Sequence, residues 1–105
     1  MTLNEYQKSA WSTALPEAKN ANYMLLGLVN EVGEIAGAVK KHLRGDFPDK
    51  DLMQKIKKEL GDSQWYLAGL AKCLDMNLND IAIWNLDKLY DRQRRGVLRG
   101  DGDDR

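Results

Sequence analysis

Apolar residues recur three and four positions apart along most of the chain, and polar residues fill the positions between them. This spacing is typical of amphipathic helices, and no stretch alternates with a period of two for long enough to predict a strand. Turn-forming residues near Pro16, at Gly45–Asp49 and at Asp75–Asn77 separate four such segments. The pattern predicts an all-α subunit of four helices, and its short connections predict that consecutive helices pack antiparallel.

Short polar residues ahead of the apolar stripes identify candidate helix starts, because their side chains can accept a hydrogen bond from a free backbone N–H. The candidate N-caps are Thr2 or Asn4 for the first helix, Asp49 or Asp51 for the third, and Asn79 for the fourth.

The size of the chain limits it to one domain. It has 105 residues, and we expect the domain to span 1–96 and the Gly- and Asp-rich residues 97–105 to form a flexible tail. Trp65 and Trp84 lie off the apolar stripes, and a four-helix chain this small is stabilised by a shared core. We therefore expect a homodimer or homotetramer, with the core completed by oligomerisation.

Charge and cysteine content exclude several classes of protein. Lys plus Arg and Asp plus Glu both number 16, which argues against the bulk basic field of a protein that binds a nucleic acid polymer. Cys73 is the single cysteine, so the chain can form neither an internal disulfide nor a cysteine-rich zinc site. No apolar run approaches the ~20 residues of a membrane span, and no signal peptide is evident. These features predict a cytoplasmic protein without a membrane partner.

Two pairs of carboxylates share the same spacing. Glu31 and Glu34 lie in the second helix, and Glu59 and Asp62 lie in the third. Residues three apart share a helix face, so each pair projects in one direction beside its apolar stripe. If the two helices are antiparallel neighbours, the four carboxylates converge at one edge of their interface. Their repulsion favours a bound cation, and hard oxygen donors suit Mg²⁺, with Mn²⁺ as a possible substitute.

The carboxylate pairs leave other interpretations open. A single Glu-x-x-Glu is usually a solvated helix face, and only the repetition on consecutive helices makes a metal site the better hypothesis. A ferritin-like di-iron protein also uses inward carboxylates, but that design needs Glu-x-x-His motifs. Here position i+3 holds Glu34 in one helix and Asp62 in the other, and His42 is in the wrong place.

The fourth helix carries a basic face made of Asn85, Lys88 and Arg92, which share one side at spacing i, i+3, i+7. Two cations and an amide suit phosphate oxygens, although mixed charge is also ordinary on a surface. Two aromatic residues follow Asp62 by one turn. Tyr66 lies on the acidic side of its helix. Trp65 points away from the stripe, where it needs a partner, a ligand such as a stacked base, or a neighbouring subunit.

These motifs together resemble the MazG-like nucleotide pyrophosphohydrolase family. The segments that carry the resemblance read LGLVNEVGEIAGAVKKHLRG, IKKELGDSQWYLAGLAKCLDMNLNDI and WNLDKLYDRQRRG, and it covers roughly residues 3–96. Each half of the pattern, Glu-x-x-Glu and Glu-x-x-Asp, is weak alone, but the combination is specific.

The resemblance implies an all-α hydrolase that cleaves (deoxy)nucleoside triphosphates between the α- and β-phosphates, giving a monophosphate and pyrophosphate, with a role in nucleotide-pool cleaning. It also implies metal ligands and phosphate contacts. The metal ligands are Glu31, Glu34, Glu59 and Asp62, and the phosphate contacts are Asn85, Lys88 and Arg92. The chemistry of the residues adds that Glu31 or Glu34 can orient the attacking water and that Trp65 and Tyr66 are candidate substrate-binding residues. The alternative is a non-enzymatic helical module that senses nucleotides or dimerises and retains a vestigial site.

Overall fold

Four α-helices and a short 3₁₀ helix make up the chain, without a strand. The computed structural model describes residues 1–105. The helices are α1 (Leu3–Ser12), a 3₁₀ helix (Pro16–Ala18), α2 (Ala21–Leu43), α3 (Asp49–Cys73) and α4 (Leu78–Arg94). The predicted all-α, four-helix fold is therefore confirmed.

The start of α1 follows the sequence prediction closely. Thr2 is the N-cap, and its Oγ1 accepts a hydrogen bond from the Glu5 N–H at 3.0 Å. The Glu5 carboxylate in turn accepts from the Thr2 N–H at 2.9 Å. This reciprocal capping box satisfies two backbone donors that the helix itself leaves free.

The starts of α3 and α4 correct two predictions. Pro48 occupies the N-cap of α3 without a side-chain cap, and Asp49 and Asp51 lie inside the first turn. There they stabilise the helix by their charge near its positive end rather than by capping. The N-cap of α4 is Asn77, not Asn79, and its Oδ1 accepts from the Asp80 N–H at 2.8 Å. The helix therefore begins two residues earlier than the apolar pattern alone indicates.

Helices α2 and α3 form an antiparallel hairpin that is the main body of the fold. Met24 near the start of α2 meets Gly69 near the end of α3, and Gly27 meets Tyr66. A Cβ at Gly27 would lie 2.1 Å from Tyr66 Cε1, and one at Gly69 would lie 2.5 Å from Met24 Sδ. Both glycines thus make room for a large side chain of the opposite helix, and Met24 becomes the one large side chain that is fully buried.

The turn of this hairpin is held by His42. Its Nδ1 lies 2.8 Å from the Phe47 carbonyl oxygen, and its Nε2 lies 2.8 Å from Asp49 Oδ1. The only histidine thus joins the end of α2 to the start of α3, which is a structural role.

Helix α4 is attached through α1. The buried Gln7 side chain of α1 donates to the carbonyls of Ala68 and Met76 at 3.1 and 3.0 Å and accepts from the Leu78 N–H at 3.1 Å. Leu78 packs with Ala68 and Ala71 of α3 and with Tyr6. Helix α4 also contacts α1 through the Asn79 N–H, which donates to Asn4 Oδ1 at 3.0 Å. The expectation that α3 and α4 pack antiparallel along their length is wrong, because only the start of α4 is anchored to α3.

Much apolar surface stays outside the core. The exposed area is 7801 Å², whereas a compact monomer of this mass exposes about 5,900 Å². Several apolar residues of α2 and α3 at helical spacing are exposed, namely Leu25, Val29, Val32, Met53, Leu60 and Leu67. No helix combines the length and the apolar character that crossing a membrane requires.

Trp65 does not contribute to this open surface. It packs on the cluster formed by Ala14, Ala18 and Met24, and its Nε1–H donates to Thr13 Oγ1 at 2.8 Å. Trp65 therefore finds a partner within its own chain, in the segment after α1, and its contact with substrate stays a prediction. Trp84 remains 67% exposed.

Candidate metal centre and basic face

Three of the four predicted carboxylates meet across the α2–α3 hairpin. Glu31 of α2 and Glu59 and Asp62 of α3 each offer an oxygen, and these oxygens all lie within 4.8 Å of one another. The antiparallel register explains this meeting, because Glu31 lies one turn beyond Gly27, and Asp62 and Glu59 lie one and two turns before Tyr66. Mg²⁺ and Mn²⁺ prefer oxygen ligands, and carboxylates are among those they bind in proteins. The residues present therefore fit such an ion.

The charge of this carboxylate cluster is unfavourable without a cation. The pKa of the Glu31 carboxyl is raised from its ordinary 4.5 to about 7. The largest cause is its hydrogen bond with Glu59, followed by burial and by the negative charges of Glu59, Asp62 and Glu34. The cluster therefore retains a proton where isolated carboxyls have lost theirs. A divalent cation would replace that proton and remove the repulsion.

Glu34 lies beside the cluster but is not one of its three converging members. It lines a cleft of about 140 Å³ together with Glu59, Lys41 and Lys55. The two lysines were not among the predicted site residues, and neither forms an ion pair in the structure. The position of Lys55, four residues before Glu59 on the same helix face, is the signal that could have identified it.

Tyr66 is the aromatic residue that borders the carboxylates. Its pKa is raised by burial and then by the neighbouring Tyr23, Glu31 and Asp62. The ring lies over Gly27, 6.5 Å from the ring of Tyr23 and at right angles to that of Trp65. Of the two predicted aromatic contacts, the structure thus brings Tyr66 to the cluster, whereas Trp65 packs against the segment after α1.

The cations on the basic face of α4 contact α4 itself and the C-terminal segment. Lys88 Nζ lies 5.0 Å from the ring centre of Trp84 and 3.7 Å from an oxygen of Asp103. Arg92 Nη2 lies 3.8 Å from the same oxygen, and its side chain is almost completely buried. Asn85 lines a neighbouring groove between α3 and α4. No ion pair links these cations to the carboxylate cluster, which is consistent with the attachment of α4 to α1 instead of α2.

Comparison with known proteins agrees with this arrangement of helices and acidic residues. Residues 19–97 match the family described as the MazG nucleotide pyrophosphohydrolase domain, so the match contains both acidic pairs and the basic face. Over an alignment of 118 residues that covers both chains completely, the chain is 42% identical to the "Gene 37 protein" of Mycobacterium phage L5. The chain therefore belongs to the MazG nucleotide pyrophosphohydrolase family.

Proposed function

We propose that this protein is a magnesium-dependent hydrolase that converts (deoxy)nucleoside triphosphates to the monophosphate and pyrophosphate. The observation that carries the proposal is the convergence of Glu31, Glu59 and Asp62 within one rigid hairpin. Mg²⁺ bound there would neutralise the phosphate charge that builds up during in-line displacement. Water attacks the α-phosphorus, the bond to the bridging oxygen breaks, and pyrophosphate leaves with the bonding electrons.

Glu34 is the carboxylate that best suits the attacking water. The other three converge and would be engaged by a cation, whereas Glu34 lies beside them at the wall of an open cleft. It can accept the proton that the water loses as the new bond to phosphorus forms. Glu34→Gln should then stop turnover while Mg²⁺ still binds, whereas Glu31→Gln should weaken both.

Lys88 and Arg92 supply positive charge for the phosphates, and a second copy of the chain is the natural way to bring them to the carboxylates. The exposed area exceeds that of a compact monomer by about 1,900 Å². This excess is larger than the area of about 800 Å² that each partner buries in a stable interface of standard size. Leu26, Val29 and Leu60 are each more than half exposed on the hairpin. We propose a homodimer or a homotetramer built from it.

The decisive experiment measures pyrophosphate release from standard and modified nucleoside triphosphates, with and without Mg²⁺. We expect turnover only with the metal, stoichiometric monophosphate, and efficient cleavage of modified nucleotides if the protein cleans the cytoplasmic nucleotide pool. Mg²⁺ at a hundred times its Kd should also stabilise the fold by about 2.7 kcal/mol. Nucleotide binding without release of pyrophosphate would instead support the non-enzymatic sensing module.

A further inference from the structure

Residues 97–105 fold back onto α4 as a closed loop. The chain reverses through positive-φ glycines, with φ of 71° at Gly96 and 87° at Gly102. Arg105 closes the loop by donating to the carbonyl oxygens of Val97, Leu98 and Gly102 at 3.0, 2.8 and 2.6 Å. These hydrogen bonds connect the end of the segment to its beginning.

This loop places an acidic residue on the basic face. The Asp103 carboxylate approaches both Lys88 and Arg92, and the Asp103 carbonyl oxygen also accepts a hydrogen bond from Arg92 Nη2. Asp104 lines the same cavity of about 250 Å³. No other acidic side chain pairs with Lys88 or Arg92, so the loop is the sole anionic partner of these cations within the chain.

We infer that this loop, residues 97–105, is a built-in competitor that regulates access of substrate phosphates to Lys88 and Arg92. The inference rests on the proposed function, which assigns those two cations to phosphate. Asp103 presents the same chemistry as a phosphate oxygen, namely an anionic oxygen between two cations. Substrate must displace it before the cations are free.

The contact is suited to reversible displacement. Its ion-pair distances are long and the Asp103 side chain is 90% exposed, so each pair is weak. Attachment to the same chain nevertheless keeps the carboxylate at an effective concentration of the order of millimolar. A triphosphate carries several negative charges and would displace the Asp103 carboxylate at sufficient concentration. An intramolecular competitor of this kind raises KM and leaves kcat unchanged.

The test compares Asp103→Asn with Asp101→Asn in the full chain. Both remove one negative charge from the loop, but Asp101 forms no ion pair and its carboxylate accepts only from the Gly102 N–H. We expect Asp103→Asn to lower the KM for triphosphate about two- to fivefold at low salt, with kcat unchanged. Asp101→Asn should behave as wild type. Arg105→Gln, which opens the loop, should lower KM in the same way.

A binding measurement separates this inference from the proposed function. Calorimetric titration with inorganic tripolyphosphate, without Mg²⁺ and without turnover, should show tighter binding to Asp103→Asn than to Asp101→Asn. If no variant hydrolyses nucleotides, the proposed function fails while this titration still decides the role of the loop. Equal affinities and KM values in the two variants, or weaker binding by Asp103→Asn, would overturn the inference.

Discussion

The carboxylate cluster and the basic face differ in how the fold supports them. Glu31, Glu59 and Asp62 lie on two helices that pack along their whole length, so a single chain assembles the cluster. Lys88 and Arg92 lie on a helix that is held at its start and supported by α1. The comparison teaches that one chain brings three carboxylates together by itself but does not pair Lys88 or Arg92 with them. Under the proposed function, these two half-sites would meet through another copy or a movement of α4.

The largest effect is expected from breaking the acidic half. Glu59→Gln retains the shape of the side chain but removes a charge from the cluster and the hydrogen-bonding partner of Glu31. We expect turnover to fall at least about a thousandfold at any attainable Mg²⁺ concentration, because the metal stabilises the charge of the transition state. Asp51→Asn, also on α3 but outside the cluster, is the matched control. Residual activity within tenfold of the control would exclude Glu59 as a ligand.

The next effect tests the basic half. Lys88→Ala should lower kcat/KM by about 2–4 kcal/mol, the range for one preorganised contact to a reacting group, and leave Mg²⁺ binding intact. Wild-type turnover by this variant would show that the face of α4 does not contact substrate.

Mixing the inactive Glu59→Gln and Lys88→Ala chains sharpens the comparison. If the two half-sites come from different copies, each mixed dimer contains one intact site, and random mixing restores about a quarter of the wild-type activity. If both half-sites come from the same chain, every site carries one defect and the mixture stays inactive. We expect restoration, because α4 packs on its own hairpin only at its start.

A smaller effect is expected at the hairpin interface. Gly27→Ala places a methyl group against the Tyr66 ring. Such overpacking lowers the free energy of unfolding by about 1–3 kcal/mol. The better helix propensity of Ala offsets up to about 1 kcal/mol of this loss. Chemical unfolding should show the loss. Gly33 on the same helix has no atom within 4 Å of a Cβ built there, so Gly33→Ala should not destabilise the chain. A marked loss at Gly33 would mean that a second copy covers it.

The smallest effect is a pH dependence of stability without metal. Because the pKa of Glu31 is raised from 4.5 to about 7, the folded protein holds a proton that the unfolded chain releases in this interval. The contribution of Glu31 to stability is therefore present below pH 4.5 and is lost as the pH rises through about 7. Melting temperatures in a chelator should fall less over this range for Glu31→Gln than for wild type. An unchanged slope would show that the carboxylates do not interact as described.

The sequence was sufficient to predict the helices and the meeting of carboxylates from α2 and α3, because both depend on spacing within a helix and on one hairpin. Three of the four predicted carboxylates converge, and the antiparallel register follows from the short turn between α2 and α3. The position of α4 could not be predicted in this way. A helical wheel shows which residues share a face, but it does not show which neighbour that face meets. Trp65 illustrates the same limit, because its partner Thr13 lies 52 residues away.

The hydrogen bonds of the Gln7 amide determine which truncated forms of this protein keep α4 in place. The family match begins at residue 19, so a fragment cut to that boundary would lack α1 entirely. It would retain all four carboxylates, Lys88 and Arg92, yet it would lose the side chain that bonds the Leu78 N–H and fixes the end of α3. We expect such a fragment to contain every residue of both half-sites. Its α4, which carries the basic half-site, should nevertheless detach from the end of α3.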